Sequence, residues 1–293
     1  MMAACLTIFS MTSCDPESDN GGTGSGDNGN SSETEWSVAP EFKENGNTMS
    51  LTYQTFYGSQ AAGYAVNYSI NFTFSNGVCT KANIALTCKD KTLAKELYNY
   101  IKMTEEDYSD ISLDGNTIKA DVTEDYKGMK QEYLRSYCKY TVDIYKIASS
   151  DDPSYTEKKK AYCNVTDNKI SAFYGSYGFS IAGEEYQEFE FQQDVDWNDE
   201  PYMACCKATS TYVFPTENIA EYIYRTEYLH EDEPGYYDDM WGEGDTHDEP
   251  EVKLDGKKII EDETSYYSGD DMDEILDNVM TRVESFNKYL DME

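Results

Sequence analysis

The sequence predicts an α+β fold: an antiparallel sheet built from hairpins, helices packed on one face, and a long C-terminal helix. Three observations carry that expectation. Apolar residues alternate strictly through Tyr64, Val66, Tyr68, Ile70, Phe72 and Phe74. After Ser75-Asn76-Gly77 a second alternation runs through Val78, Thr80, Ala82, Ile84, Leu86 and Cys88. A period of two marks half-buried strands, and turn residues between two such runs mark a hairpin. Behind each hairpin the spacing switches to that of an amphipathic helix, which segregates helices from strands.

Taken in order, Leu51 to Tyr57 reads as a first strand, rich in Thr and Tyr. The Tyr64 to Cys88 hairpin then needs a register. A two-residue Asn76-Gly77 loop would place Phe72 opposite Lys81 and mix the faces. A three-residue loop, Ser75 to Gly77, pairs Phe74 with Val78, Ile70 with Ala82, Tyr68 with Ile84 and Val66 with Leu86. That keeps one face apolar, so it is the expected register, with Gly77 left-handed. Asp90 or Thr92 caps a helix to about Met103, with Leu93, Leu97, Tyr100 and Ile101 on one face. A Gly-first turn at Gly115-Asn116 sets Leu113 against Ile118 and Ile111 against Ala120.

A second helix starts near Met129. Its far half, Cys138 to Ile147, also alternates like a strand, which leaves its end open. Asp151-Asp152-Pro153 breaks this element, and a boundary between two subdomains falls near residues 150–160. Short strands follow around Ala172 to Ile181, Tyr186 to Gln192 and Tyr202 to Phe214. Pro215-Thr216 opens a helix with Ile219, Tyr222 and Ile223 on one face, and Glu231 to Glu251 is a long acidic loop. In the last helix Ser268 caps, Asp271 stands three residues on, and Met272, Ile275, Leu276, Val279, Val283, Phe286 and Leu290 recur at helical spacing. No strong internal repeat is evident.

The chain of 293 residues carries a net charge of −34, and the charge is uneven: from Glu184 onward there are 33 acidic and 7 basic residues. Such a field repels nucleic acid, and no basic stripe exists to displace phosphate counterions, so nucleic acid is excluded as a partner. Only two histidines, His230 and His247, are present, and no C-x-x-C pair occurs, which leaves a tetrahedral zinc site with little ligand support. There is no G-x-S-x-G, H-E-x-x-H or phosphate-cradling G-x-x-x-x-G-K, and no cofactor is expected.

The first thirteen residues hold an apolar run, Ala3 to Met11, too short to span a bilayer. It closes on Met11-Thr12-Ser13-Cys14, which resembles a bacterial lipobox. Met11 stands where Leu is usual and no Lys or Arg precedes the run, which points to a start upstream of Met1. The resemblance implies a signal peptide over 1–13, acylation of Cys14, a lipidated flexible tether over 14–35 and an extracytoplasmic domain over 36–293. Lipid burial at about 0.8 kcal/mol per methylene holds a multiply acylated protein stably, so the membrane is a partner through the lipid. Asp15-Pro16-Glu17-Ser18-Asp19 is similar to the export signals of Bacteroidota-type surface lipoproteins. This implies an outer-membrane location at the cell surface, with a periplasm-facing anchor as the alternative. The Gly- and Ser-rich stretch from Gly21 to Ser32 suits a tether. With Cys5 removed and Cys14 acylated, six cysteines remain (Cys79, Cys88, Cys138, Cys163, Cys205 and Cys206). Their fifteen possible connectivities stay open, and small core residues with one or two bridges is the expectation.

Two constellations are candidate sites. Tyr236, Tyr237 and Trp241 lie in the acidic loop, where surrounding charge keeps aromatic surface wet; such rings stack on sugars, and neighbouring carboxylates accept hydroxyl hydrogen bonds. They point to a glycan or protein ligand. Asp194, Asp196 and Asn198 form the D-x-D-x-N start of a calcium loop, but Asp199 and Cys205 occupy the positions that need Gly and Glu. The expected function is that of a binding or structural lipoprotein. The alternative is a carboxylate-dependent hydrolase such as a glycosidase, although no catalytic pair stands out among so many carboxylates.

Overall fold

A computed structural model of the chain describes residues 39–57, 64–104, 111–166, 169–181, 184–197, 205–229, 251–267 and 272–291. Among them are two six-stranded antiparallel sheets and five α-helices, an α+β architecture with a long C-terminal helix. The first sheet contains β1 (Glu41–Asn45), β2 (Thr48–Tyr57), β3 (Tyr64–Ser75), β4 (Val78–Cys88), β5 (Ile111–Asp114) and β6 (Thr117–Asp121). Its order is β1-β2-β3-β4-β6-β5. Helix α1 (Lys91–Thr104) joins β4 to β5, and a short α2 (Thr123–Tyr126) leads to a long α3 (Gln131–Ala148). The second sheet contains β7 (Tyr162–Thr166), β8 (Lys169–Ile181), β9 (Glu184–Trp197), β10 (Cys205–Val213), β11 (Glu251–Asp255) and β12 (Lys258–Asp262). Its order is β11-β12-β10-β9-β8-β7. Helix α4 (Glu217–Ile223) runs on into a π turn over Tyr224–Tyr228, and α5 (Met272–Leu290) is the final helix.

These two sheets are copies of one plan, which corrects the expectation of no strong repeat. Each is a four-stranded meander, then a helix, then a hairpin whose second strand pairs with the fourth strand of the meander, then a long helix. The registers correspond residue by residue. Asn83 to Thr87 on β4 face Asp121 to Thr117 on β6, as Thr209 to Val213 on β10 face Asp262 to Lys258 on β12. One extra residue bulges β4 at Thr80 and β10 at Cys206. Side-chain bonds repeat too. Thr123 Oγ1 accepts from the Ala82 amide at 3.1 Å while the Val122 amide donates to the Ala82 carbonyl at 3.0 Å; Thr264 and Glu263 do the same to Ala208 at 3.0 and 2.9 Å. Asp121 and Asp262 each accept from the backbone amide of their own Thr two residues on.

The signature is visible in the sequence once the elements are aligned. Leu113-Asp114-Gly115 through Ile118, Asp121, Thr123, Tyr126 and Gly128 matches Leu254-Asp255-Gly256 through Ile259, Asp262, Thr264, Tyr267 and Gly269, eight identities in sixteen positions. Upstream, Cys79-Thr80-Lys81-Ala82 matches Cys205-Cys206-Lys207-Ala208. On the long helices Leu134, Cys138 and Val142 face the core where Ile275, Val279 and Val283 do.

The β3–β4 hairpin takes neither register weighed above. Its loop has two residues, Asn76 at φ 52° and Gly77 at φ 78°, and Ser75 faces Val78. The bulge at Thr80 then shifts the pairing by one, so that Phe72 faces Ala82, Ile70 faces Ile84 and Tyr68 faces Leu86. A bulge adds a residue to one strand alone. It therefore reconciles the tight turn with an apolar face, and it buries Cys79 where Val78 was expected. The second hairpin has the expected pairs, Leu113 with Ile118 and Ile111 with Ala120. Asp90 caps α1 through the amides of Thr92 and Leu93, and Thr216 caps α4 through that of Ile219.

Strands β1, β7 and β11 go beyond the sequence expectation. All three are edge strands with largely exposed side chains; β1 and β7 carry no clean apolar alternation, and in β11 the alternation of Val252 and Leu254 is only five residues long. Helix α3 is helical throughout, including Cys138 to Ile147. It is buried on two sides: Leu134, Cys138 and Tyr145 face the first sheet, while Ile144 and Ile147 meet Phe214, Ile219 and Ile259 of the second repeat. That double burial obscures the helical period. Cys79, Cys88, Cys138 and Cys163 are free thiols, and burial raises the pKa of each.

Candidate ligand-binding cleft in the second repeat

Because the repeats share a register, their inner faces can be compared position by position. In the first, a cross-strand row of Leu51, Ile70, Ile84 and Ala120 is apolar. The corresponding row in the second is Ala172, Gln193, Ser210 and Glu261. One row beyond, Val122 is replaced by Glu263. The strands are the same, so these replacements are not demanded by the fold.

Gln193 is 2% exposed, and its amide is fully engaged. Tyr174 donates its hydroxyl to Gln193 Oε1 at 3.0 Å, and Gln193 Nε2 donates to Glu263 at 3.1 Å and to the Tyr267 hydroxyl at 2.6 Å. Next to it across the ladder, Ser210 Oγ is buried without a hydrogen-bond partner. Beyond Ser210, Glu261 accepts hydroxyl hydrogen bonds from Tyr212, at 3.3 Å, and from Tyr228. Burial first, and the Glu261 carboxylate second, push the Tyr228 phenol well above its ordinary pKa, so it stays a donor at neutral pH. A buried amide held by three partners is oriented before anything binds.

Gln193 and Tyr267 form one wall of a cavity of about 390 Å³. Its floor is Ile275 and Val279 of α5, and its rim is Asn278, Thr281 and Arg282 of the same helix. The volume lies within the range of small-molecule sites. On α3 of the first repeat the places of Asn278 and Thr281 are taken by Tyr137 and Tyr140. Those rings, with Tyr133, close on Tyr222 of α4 at centroid distances of 5.9, 4.5 and 5.9 Å respectively. The first cleft is thus plugged by a ring from the second repeat, and the second is lined by shorter polar side chains.

Of the residues singled out in the sequence, Cys14, Tyr236, Tyr237, Trp241 and Asn198 lie outside the described residues. Asp194 and Asp196 stand on β9, two apart and so on one face, both ion-paired to Lys169 at 3.3 and 3.8 Å. Asp194 also accepts from the Ser171 hydroxyl. Gln193, Asn278, Thr281 and Arg282 were not legible as a site without the repeat, because single polar residues on a strand and a helix carry no motif. The L-D-G…D-x-T…Y-x-G match is the signal that would have found them.

Fold and cleft together define a duplicated α+β protein with a polar, ligand-sized cleft in one repeat. No protein-family model, curated protein or solved structure matches the chain.

Proposed function

We propose that this chain is a lipid-anchored protein of the outer membrane, displayed at the cell surface, that binds a neutral ligand of the glycan class. The cleft carries the binding half of this reading, since its lining offers the neutral hydrogen-bonding groups of Tyr267, Asn278 and Thr281, beside a single charge on Arg282, over an apolar floor. The anchoring half rests on Met11-Thr12-Ser13-Cys14, the acidic residues after it and the Gly- and Ser-rich tether. A tether lets the folded part reach ligands away from the bilayer. Charge supports the ligand class, because a net charge of −34 disfavours anionic partners. Changing Cys14 to Ala tests the anchor: the variant is expected in the soluble extracytoplasmic fraction, uncut. Retention in the membrane would overturn the lipoprotein reading.

A further inference from the structure

We infer that the two repeats have divided their labour, the first keeping an apolar, plugged core and the second holding a sugar unit in the cleft between β9 and α5. This rests on the glycan-binding reading above and gives it a site. Duplicated units begin alike, so departures of one copy from the other that converge on one cavity mark what that copy has been shaped for. Here the departures converge on one place. Ile70 is matched by Gln193, Tyr137 by Asn278 and Tyr140 by Thr281, and all three replacements line the same cavity.

The lining itself is mostly uncharged: Gln193, Tyr267, Asn278 and Thr281 are neutral, and the one lining charge, Arg282 at the rim, is opposed by Glu263 on Gln193 and by the 33 acidic against 7 basic residues from Glu184 onward. With the two signs opposed, a neutral, hydroxyl-rich molecule suits the cleft best. The planar groups of Asn278 and Arg282 can donate to vicinal hydroxyl oxygens, Asn278 and Thr281 can also accept, and Gln193, its two N–H donors taken by Glu263 and Tyr267, keeps only acceptor capacity on Oε1. Ile275 and Val279 offer an apolar floor to the C–H face of a pyranose. Tyr174, Glu263 and Tyr267 clamp Gln193, so this polar wall is fixed before binding, which lowers the entropy lost on association.

The test uses the full-length chain in detergent on an array of neutral glycans (glucans, galactans, mannans and xylans), beside two variants. The first is Asn278→Tyr with Thr281→Tyr, which restores the residues of the first repeat. Both positions are exposed on α5, so the fold tolerates the change, and an unaltered melting temperature verifies it. The second is Trp241→Ala in the acidic loop. Wild type is expected to bind at least one glycan, and the α5 double variant to lose tenfold or more in affinity. If the double variant binds as wild type does while Trp241→Ala fails, the ligand sits on the loop; the cleft inference then falls and the glycan-binding reading stands. If wild type binds none of the four classes, the cleft inference falls with the ligand class, whereas the anchor is judged separately by Cys14→Ala.

Discussion

Tyr222 is the ring that ties the repeats together, and replacing it by Ala should weaken that joint more than any other single change in α4. It is 6% exposed and packs among Tyr133, Tyr137 and Tyr140, with its hydroxyl 3.5 Å from that of Tyr133. An aromatic side chain buries roughly 150–250 Å², and at about 25 cal/mol per Å² this is ~4–6 kcal/mol. An extended-chain reference overstates such burial, so about 3–5 kcal/mol is the expected loss, in line with other buried aromatic truncations. That is a large share of the roughly 5–15 kcal/mol that holds a domain folded. Tyr222→Phe keeps the ring and should cost only about 0.5–1.5 kcal/mol. Urea unfolding followed by far-UV circular dichroism and by aromatic fluorescence measures both. In Tyr222→Ala the two signals should separate, because the repeats then unfold independently. A loss below about 1 kcal/mol with coincident transitions would refute the ring as the joint.

Other expectations follow from the same geometry. Thr123→Val and Thr264→Val each remove the hydroxyl that satisfies a buried alanine amide, and should cost similar amounts, about 1–3 kcal/mol, by urea unfolding. The Thr264 hydroxyl, with its backbone amide, also holds the Asp262 carboxyl below its usual pKa. A depressed carboxylate contributes stability above its unfolded pKa and loses it as pH falls through the folded value, so Thr264→Val should show a shallower acid limb in a pH–stability profile. Ser210→Ala removes a buried hydroxyl without a partner and should raise stability by about 1 kcal/mol in thermal denaturation. Gly175 has φ 87°, and a Cβ there would lie 2.3 Å from the Lys159 carbonyl oxygen and 2.4 Å from the Phe286 ring. Gly175→Ala should therefore cost about 3 kcal/mol or more. Gly77→Ala, at φ 78° with open space around it, should cost only the backbone strain of about 1 kcal/mol.

Alternation and helical spacing are readable wherever one face alone is buried, as in β3, α1 and α5. They fade at β1, β7 and β11, short edge strands whose side chains are mostly exposed, and in α3, where two faces are buried. The hairpin register escaped because a bulge at Thr80 leaves no mark in composition; only the opposing demands of a tight turn and an apolar face imply it. The cleft was hidden for a different reason. Gln193 reads as one more polar residue in a weak strand until Ile70 is set beside it, and that comparison exists only once the duplication is seen.

The most direct test of a binding half and a supporting half is hydrogen–deuterium exchange of the full-length chain, with and without the neutral glycan that binds it most tightly on the array. Amides of α5 from Ile275 to Arg282 and of β9 around Gln193 should gain protection, while the matching amides of α3 from Leu134 to Thr141, already sealed by Tyr222, stay unchanged. Protection arising in α3, or equally in both repeats, would contradict the division of labour.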